Sequence, residues 1–188
     1  MAATVHPRVL VVFHSGEGQT EKIADRIVRE LERSEARAAL SDAASAPPPT
    51  AYDAVVIADS IHGGRHSRQL ARWVERYEAE LADVPVALFQ VSLTSAIDDE
   101  THSAEANRLV QQFLDATGLD PDMVGLFAGA LAYTRYGWLK RAVMKRIVAA
   151  EGGETDTSRD HEYTDWEAVD DFAADVLVMA GSGSAAAS

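Results

Sequence analysis

The feature that most constrains this chain is an apolar run at residues 9–13 that breaks into Ser15-Gly16-Glu17-Gly18-Gln19-Thr20. A helical pattern follows from Gln19, with Ile23, Ile27 and Leu31 each four residues apart. The run reads as a buried strand, so the order is strand, small-residue loop, helix start. That order builds a place for a phosphate. Glycines let the backbone come close, the first N–H groups of a helix have no internal partner, and the helix dipole favours an anion there. Ser15 and Thr20 add hydroxyls. Four readings stay open at this point. A P-loop needs a lysine after Gly18 and finds none. A dinucleotide fingerprint needs a third glycine where Glu21 stands, although Asp42 would serve as its ribose partner. A hydroxyl-rich loop taking a terminal, dianionic phosphate is the remaining ligand-binding option. A tight turn that binds nothing is the plainest alternative.

Further strand-like runs fall at residues 38–40, 54–58, 86–93 and 124–131, nearly all continuously apolar as in strands buried on both faces. Amphipathic patterns at 20–33, 67–81, 104–117 and 166–179 alternate with them. The last opens on Thr164-Asp165-Trp166-Glu167, which reads as a capping box. Alternation of this kind predicts an α/β fold, a five-stranded parallel sheet with helices on both faces. A phosphate site in the first loop favours the order 2-1-3-4-5. The Pro47-Pro48-Pro49 run is a stiff connector, and residues 181–188 read as a disordered tail after one domain at 1–180.

In such a sheet ligands bind beyond the C-terminal ends of the strands. The third strand ends in Ser60-Ile61-His62-Gly63-Gly64, two glycines that admit a flat ring beside Ile61 and His62, which would cover its face. The fourth ends in Ser92-Leu93-Thr94-Ser95. His62 and His66 lack a third ligand, so no metal site is expected.

Composition narrows the function. The chain has 188 residues, 47% of them hydrophobic, enough for one ample core. It has no cysteine, which excludes disulfides, thiolate metal sites and a cysteine nucleophile. No run reaches the roughly 18 apolar residues of a membrane span. The first residues are too few and too mixed for a signal peptide, so a cytoplasmic location is expected. A net charge of −13 argues against a nucleic-acid binder. That charge is unevenly spread. The 28 residues between Asp122 and Glu151 hold five basic side chains and no acidic one, leaving −18 on the remainder. They include Tyr133, Arg135, Tyr136, Trp138, Lys140, Arg141 and Lys145. An extra basic helix at about 136–150 is expected, facing either an anionic partner or membrane surface, or packing on the sheet.

Phe13 with Gly18-Gln19-Thr20 resembles the flavodoxins. The fuller resemblance is to the flavodoxin-type, menaquinone-dependent protoporphyrinogen oxidases. It rests on Asp53-x-Val55-Val56-Ile57 with Ser60-Ile61, on Ala128-Gly129-Ala130-Leu131 with Tyr133, Arg135-Tyr136 and Trp138, on Gly152-Gly153-Glu154-Thr155-Asp156-Thr157, and on Tyr163-Thr164-Asp165-Trp166-Glu167. The resemblance implies a flavodoxin-like fold binding FMN, its phosphate on Ser15, Gly16, Glu17, Gly18, Gln19 and Thr20. The ring would lie between Ser60, Ile61, His62, Gly63 and Gly64 on one side and Ser92, Leu93, Thr94 and Ser95 on the other. It implies an insertion at 133–156 tied to activity and membrane contact. Chemistry would reside in the flavin, with His62 a candidate proton relay. Protoporphyrinogen would be oxidised with a menaquinone-type acceptor, Arg135, Lys140 and Arg141 meeting its propionates. Glu17 stands where flavodoxins favour a hydroxyl, and Asp98, Asp99 and Glu100 make acidic a connection that the oxidases keep basic. An electron carrier without a small-molecule substrate and an NAD(P)H-quinone reductase are the alternative functions. Self-association is compatible with all three.

Overall fold

The computed structural model describes residues 6–92, 100–131 and 161–186. Strands β1 (Arg8–Phe13), β2 (Arg37–Asp42), β3 (Ala54–Ser60), β4 (Val86–Ser92) and β5 (Met123–Ala128) form one parallel sheet in the order β2-β1-β3-β4-β5. β3 and β4 are buried along their whole lengths, which is why they read as unbroken apolar runs.

Side chains alternate between two cores. Val9, Val11, Val56, Phe89 and Phe127 meet Ile23, Ile27 and Leu31 of α1 (Gln19–Arg33) and Val169, Phe172 and Val176 of α5 (Trp166–Ala186). Leu10, Val12, Ile57 and Leu88 meet Leu70, Trp73 and Val74 of α2 (Arg68–Arg76) and Val110 and Phe113 of α4 (Glu100–Thr117). In the first core Phe89, Phe127 and Phe172 sit edge to face, with centroids 5.4 to 5.9 Å apart. A Cβ on Gly125 would fall 2.8 Å from Phe172 Cε2, so glycine there makes room for that ring.

The structure departs from the sequence expectation at four places. The helix expected at 67–81 breaks at Tyr77 into α2 and the short α3 (Glu78–Leu81). The Tyr77 N–H is shared between the Trp73 and Val74 carbonyls, the three-centre pattern of a helix end. The run at 124–131 is two elements, since β5 stops where its partner β4 stops, at the Ser92–Ala128 pair. Beyond Gly129 the chain forms β6 (Ala130–Leu131), antiparallel to β7 (His161–Glu162). The cap of α5 is Asp165, whose Oδ1 accepts from the Glu167 and Ala168 N–H groups, because the Thr164 hydroxyl is engaged elsewhere. Finally, α5 runs to Ala186, so residues 181–186 are helical where a disordered tail is expected. Extending a docked helix needs no new nucleus, and Ser182 Oγ donates back to the Val178 carbonyl. The expected basic helix lies outside the described residues.

Candidate cofactor site

The first loop is held from both ends. The His14 N–H donates to the Ala58 carbonyl (2.9 Å), extending the β1–β3 pairing one residue past the strand. Gly18, at φ 95°, turns the chain into α1, a left-handed conformation that suits glycine. Its N–H donates to Ser15 Oγ (3.0 Å), and its carbonyl takes the first helical bond, from the Lys22 N–H (3.0 Å). Gly18 has no side chain to cap the helix, so the N–H groups of Gln19, Thr20 and Glu21 are left for a ligand. The decisive group is the Thr20 hydroxyl. Thr20 is 1% exposed, and its Oγ1 has no hydrogen-bond partner among the described residues. A buried orphan hydroxyl at the open end of a helix fits an anion rich in acceptor oxygens. The sequence places Gln19 in the same role, and its backbone N–H is there. Its side chain instead donates to Thr164 Oγ1 (2.8 Å), which donates to the Ala128 carbonyl (2.7 Å). Gln19 thus ties the loop to the end of β5.

The second wall is the chain after β3. Asp59, fully buried, accepts from the Ser60 N–H (2.9 Å), the Ser67 N–H (2.7 Å) and His66 Nδ1 (2.9 Å). One carboxyl therefore fixes both ends of the loop between Ser60 and Ser67. At its tip the His62 N–H donates to the Arg65 carbonyl (3.1 Å), and Gly63 (φ 58°) and Gly64 (φ 70°) make the turn between them. Both φ values are positive, which explains the glycine pair. The two walls touch at Gly16. Its N–H donates to Ser60 Oγ (3.3 Å), and a Cβ on it would lie 2.1 Å from His62 Nε2. Gly16 is therefore small to admit the His62 ring, a reason the sequence reading did not supply.

Asp59 is register partner to Gln90 of β4, whose amide donates to the Ala106 carbonyl of α4 (3.3 Å) while its Oε1 is buried without a partner. His66 Nε2 and His14 Nδ1 are likewise buried without a partner among the described residues. This polar layer at the C-terminal end of the sheet was missed in the sequence. Its only signal is a charge, Asp59, ending an otherwise apolar strand. Among the described residues no three His, Asp or Glu side chains gather as a metal site. Ser92, the last residue of β4, is buried beside Ala128. Leu93, Thr94, Ser95, Tyr133, Arg135, Tyr136, Trp138, Lys140, Arg141 and Lys145 lie outside the described residues.

The C-terminal helix α5 is pinned to α1 beside the loop. Arg26 forks onto Asp170 with two bonds of 2.7 Å, and this hydrogen bonding holds the Asp170 carboxyl below the ordinary aspartate value. Lys22 pairs with Glu162 and lies 5.1 Å from the Trp166 ring centroid.

A family model described as a flavodoxin domain matches residues 10–158, four-fifths of the chain. The chain belongs to the flavodoxin family. Within that family it is 34% identical over 180 residues to a protein of Leishmania major named protoporphyrinogen IX dehydrogenase [quinone], covering 94% of this chain and 78% of the relative. To the protein of the same name from Escherichia coli K12 it is 33% identical over 171 residues, covering 90% of this chain and 94% of the relative. Among solved structures, a short-chain flavodoxin associated with a bacterial microcompartment superposes with a TM-score of 0.55 at 15% identity, over 93% of this chain and 99% of that one. The rubredoxin:oxygen oxidoreductase of Desulfovibrio gigas gives 0.54 at 14% identity, over 95% of this chain and 37% of that one. These two share the flavodoxin fold with this chain.

Proposed function

We propose that this flavodoxin-family protein binds FMN and oxidises protoporphyrinogen IX to protoporphyrin IX with a quinone as acceptor. One observation carries the reading. The identity to the two dehydrogenases extends over nine-tenths of the chain, too much to leave out the 28-residue basic stretch. The orphan Thr20 hydroxyl and the open helix end support the cofactor. With the N–H groups of Gln19, Thr20 and Glu21 they would hold the phosphate, and Glu17 would turn its carboxylate away from it. Ile61, Gly63 and Gly64 would border the ring, with Ser92, Leu93, Thr94 and Ser95 opposite.

FMN supplies a two-electron acceptor that passes its electrons on to the quinone. Six electrons and six protons leave the substrate, so three quinones become three quinols. Arg135, Lys140 and Arg141 are the residues we assign to the substrate's propionates, by charge-assisted hydrogen bonds. Quinones partition into lipid, so we place the working protein in the cytoplasm, at the membrane surface. No helix among the described residues is long and apolar enough to cross that membrane.

The test is anaerobic mixing of FMN-loaded protein, protoporphyrinogen and a menaquinone analogue, read by porphyrin fluorescence. Quinone-dependent growth above an FMN-only control is expected. Its absence with FMN verified as bound would favour the electron-carrier reading, for which the acidic remainder of the surface speaks. Consumption of NADPH would favour a quinone reductase.

A further inference from the structure

We propose that His62 serves the phosphate end of the cofactor and makes the site select a phosphorylated flavin over riboflavin. The inference rests on the FMN reading above. The sequence puts His62 over the ring, where an imidazole would present its face. The geometry is different. The three atoms nearest the Cβ position of Gly16 are His62 Nε2 at 2.1 Å, Cδ2 at 2.7 Å and Cε1 at 2.9 Å. Nε2 leads and its two ring neighbours flank it, so the imidazole meets the first loop with its nitrogen tip.

Three further observations point the same way. The first loop is poor in cationic help: residues 13–21 contain Glu17 and Glu21, and His14 is their sole basic side chain. His14 Nδ1 is buried away from solvent, in the layer at the end of the sheet. Apart from His14, a dianion on this loop would rely on backbone N–H groups and hydroxyls, against two carboxylates. Second, His62 is exposed as a residue, and no hydrogen bond of its imidazole is found among the described residues, so Nε2 is available to donate. Third, its position is built. Asp59 closes the loop at both ends, the Gly63-Gly64 turn sets the tip, and Ser60 Oγ receives the Gly16 N–H on the same side. Gly16 gives up a side chain to admit this ring, a role separate from any contact between its backbone and a phosphate.

The measurement is a pair of fluorescence-quenching titrations, FMN and riboflavin, on wild type, His62→Ala and His62→Gln. Riboflavin has the same ring and no phosphate, so it reports every contact except the one at issue. His62→Ala is expected to weaken FMN about tenfold, as loss of one hydrogen bond to a charged group does, and to leave riboflavin unchanged. His62→Gln, which keeps an N–H at similar reach, is expected to recover part of the FMN affinity. The residue is exposed and its backbone bond to Arg65 survives both substitutions, so both variants should fold, which circular dichroism checks. Equal losses for the two flavins would put His62 on the ring and overturn the proposal. So would no change for either. A gain in FMN affinity would overturn it too, showing that the ring blocks the site. A wild type that binds FMN but responds in one of these ways sinks the inference alone. A wild type that binds neither flavin sinks the FMN reading with it.

Discussion

Two buried side chains of the candidate site carry opposite consequences for stability. The Thr20 hydroxyl is buried with nothing to bond, a state that costs about 1–3 kcal/mol in a folded protein. Thr20→Val keeps the shape and removes the orphan. It is expected to stabilise the flavin-free protein by about 1 kcal/mol in urea unfolding and to weaken FMN about tenfold in a quenching titration. Opposite signs in the two measurements would separate a ligand-facing hydroxyl from an ordinary core threonine. Asp59 acts the other way. Removing its carboxyl strands the Ser60 and Ser67 N–H groups and His66 Nδ1 together. Asp59→Ala is expected to cost about 3 kcal/mol by denaturant midpoint, with Asp59→Asn, which keeps one acceptor oxygen, costing less. Sequence alone showed that the hydroxyls and glycines of both loops lie between a strand and a helix, since that spacing is local. It did not show that Asp59 clasps His66 and Ser67, because that needs the loop to fold back on its own strand.

At the scale of elements, local rules explain starts and ends better than interruptions. Ser67 caps α2 by accepting from the Gln69 and Leu70 N–H groups, as its place before an amphipathic run foretells. At the end of α1 the Glu35 N–H donates to the Glu32 carbonyl and the Ala36 N–H to the Leu31 carbonyl, a Schellman motif. Its left-handed position is held by Glu35 at φ 66°, where a glycine carries no Cβ penalty. Glu35→Gly is therefore expected to raise stability by about 1 kcal/mol, read as a higher denaturant midpoint with unchanged slope. The break between α2 and α3 and the split of β5 from β6 were not legible. The first falls inside a run whose residue types favour continuation, and the second at Gly129, a glycine within an otherwise apolar run. The breaks come from partners instead: a carbonyl pair that shares the Tyr77 N–H, and a neighbouring strand that ends at Ser92.

For the molecule as a whole, α5 closes the fold by packing on α1, and the Arg26–Asp170 pair marks that closure. Asp170 has a folded value below its unfolded one, so its contribution to stability is present above the ordinary aspartate range. It is lost as pH falls through the lower folded value. The stability difference between wild type and Asp170→Asn is expected to shrink over that acid window, and to shrink with added salt because the pair is solvent-exposed. The basic stretch between Asp122 and Glu151 bears on the other whole-molecule question. Charge reversal at Lys140, Arg141 and Lys145 is expected to abolish binding to anionic liposomes in a flotation assay, and unchanged binding would defeat the membrane proposal. The sequence by itself determined the α/β class, the strand order and the small-residue loop between the first strand and the first helix. Period, burial and helix-start chemistry all act within a few residues of one another. Only the tertiary structure decided that His62 meets Gly16, that Gln19 reaches Thr164 across 145 positions, and that a carboxyl is buried beneath the site. The first two join segments far apart in sequence, the third needs a loop folded back on its own strand, and all three depend on the parallel sheet bringing its C-terminal ends to one edge.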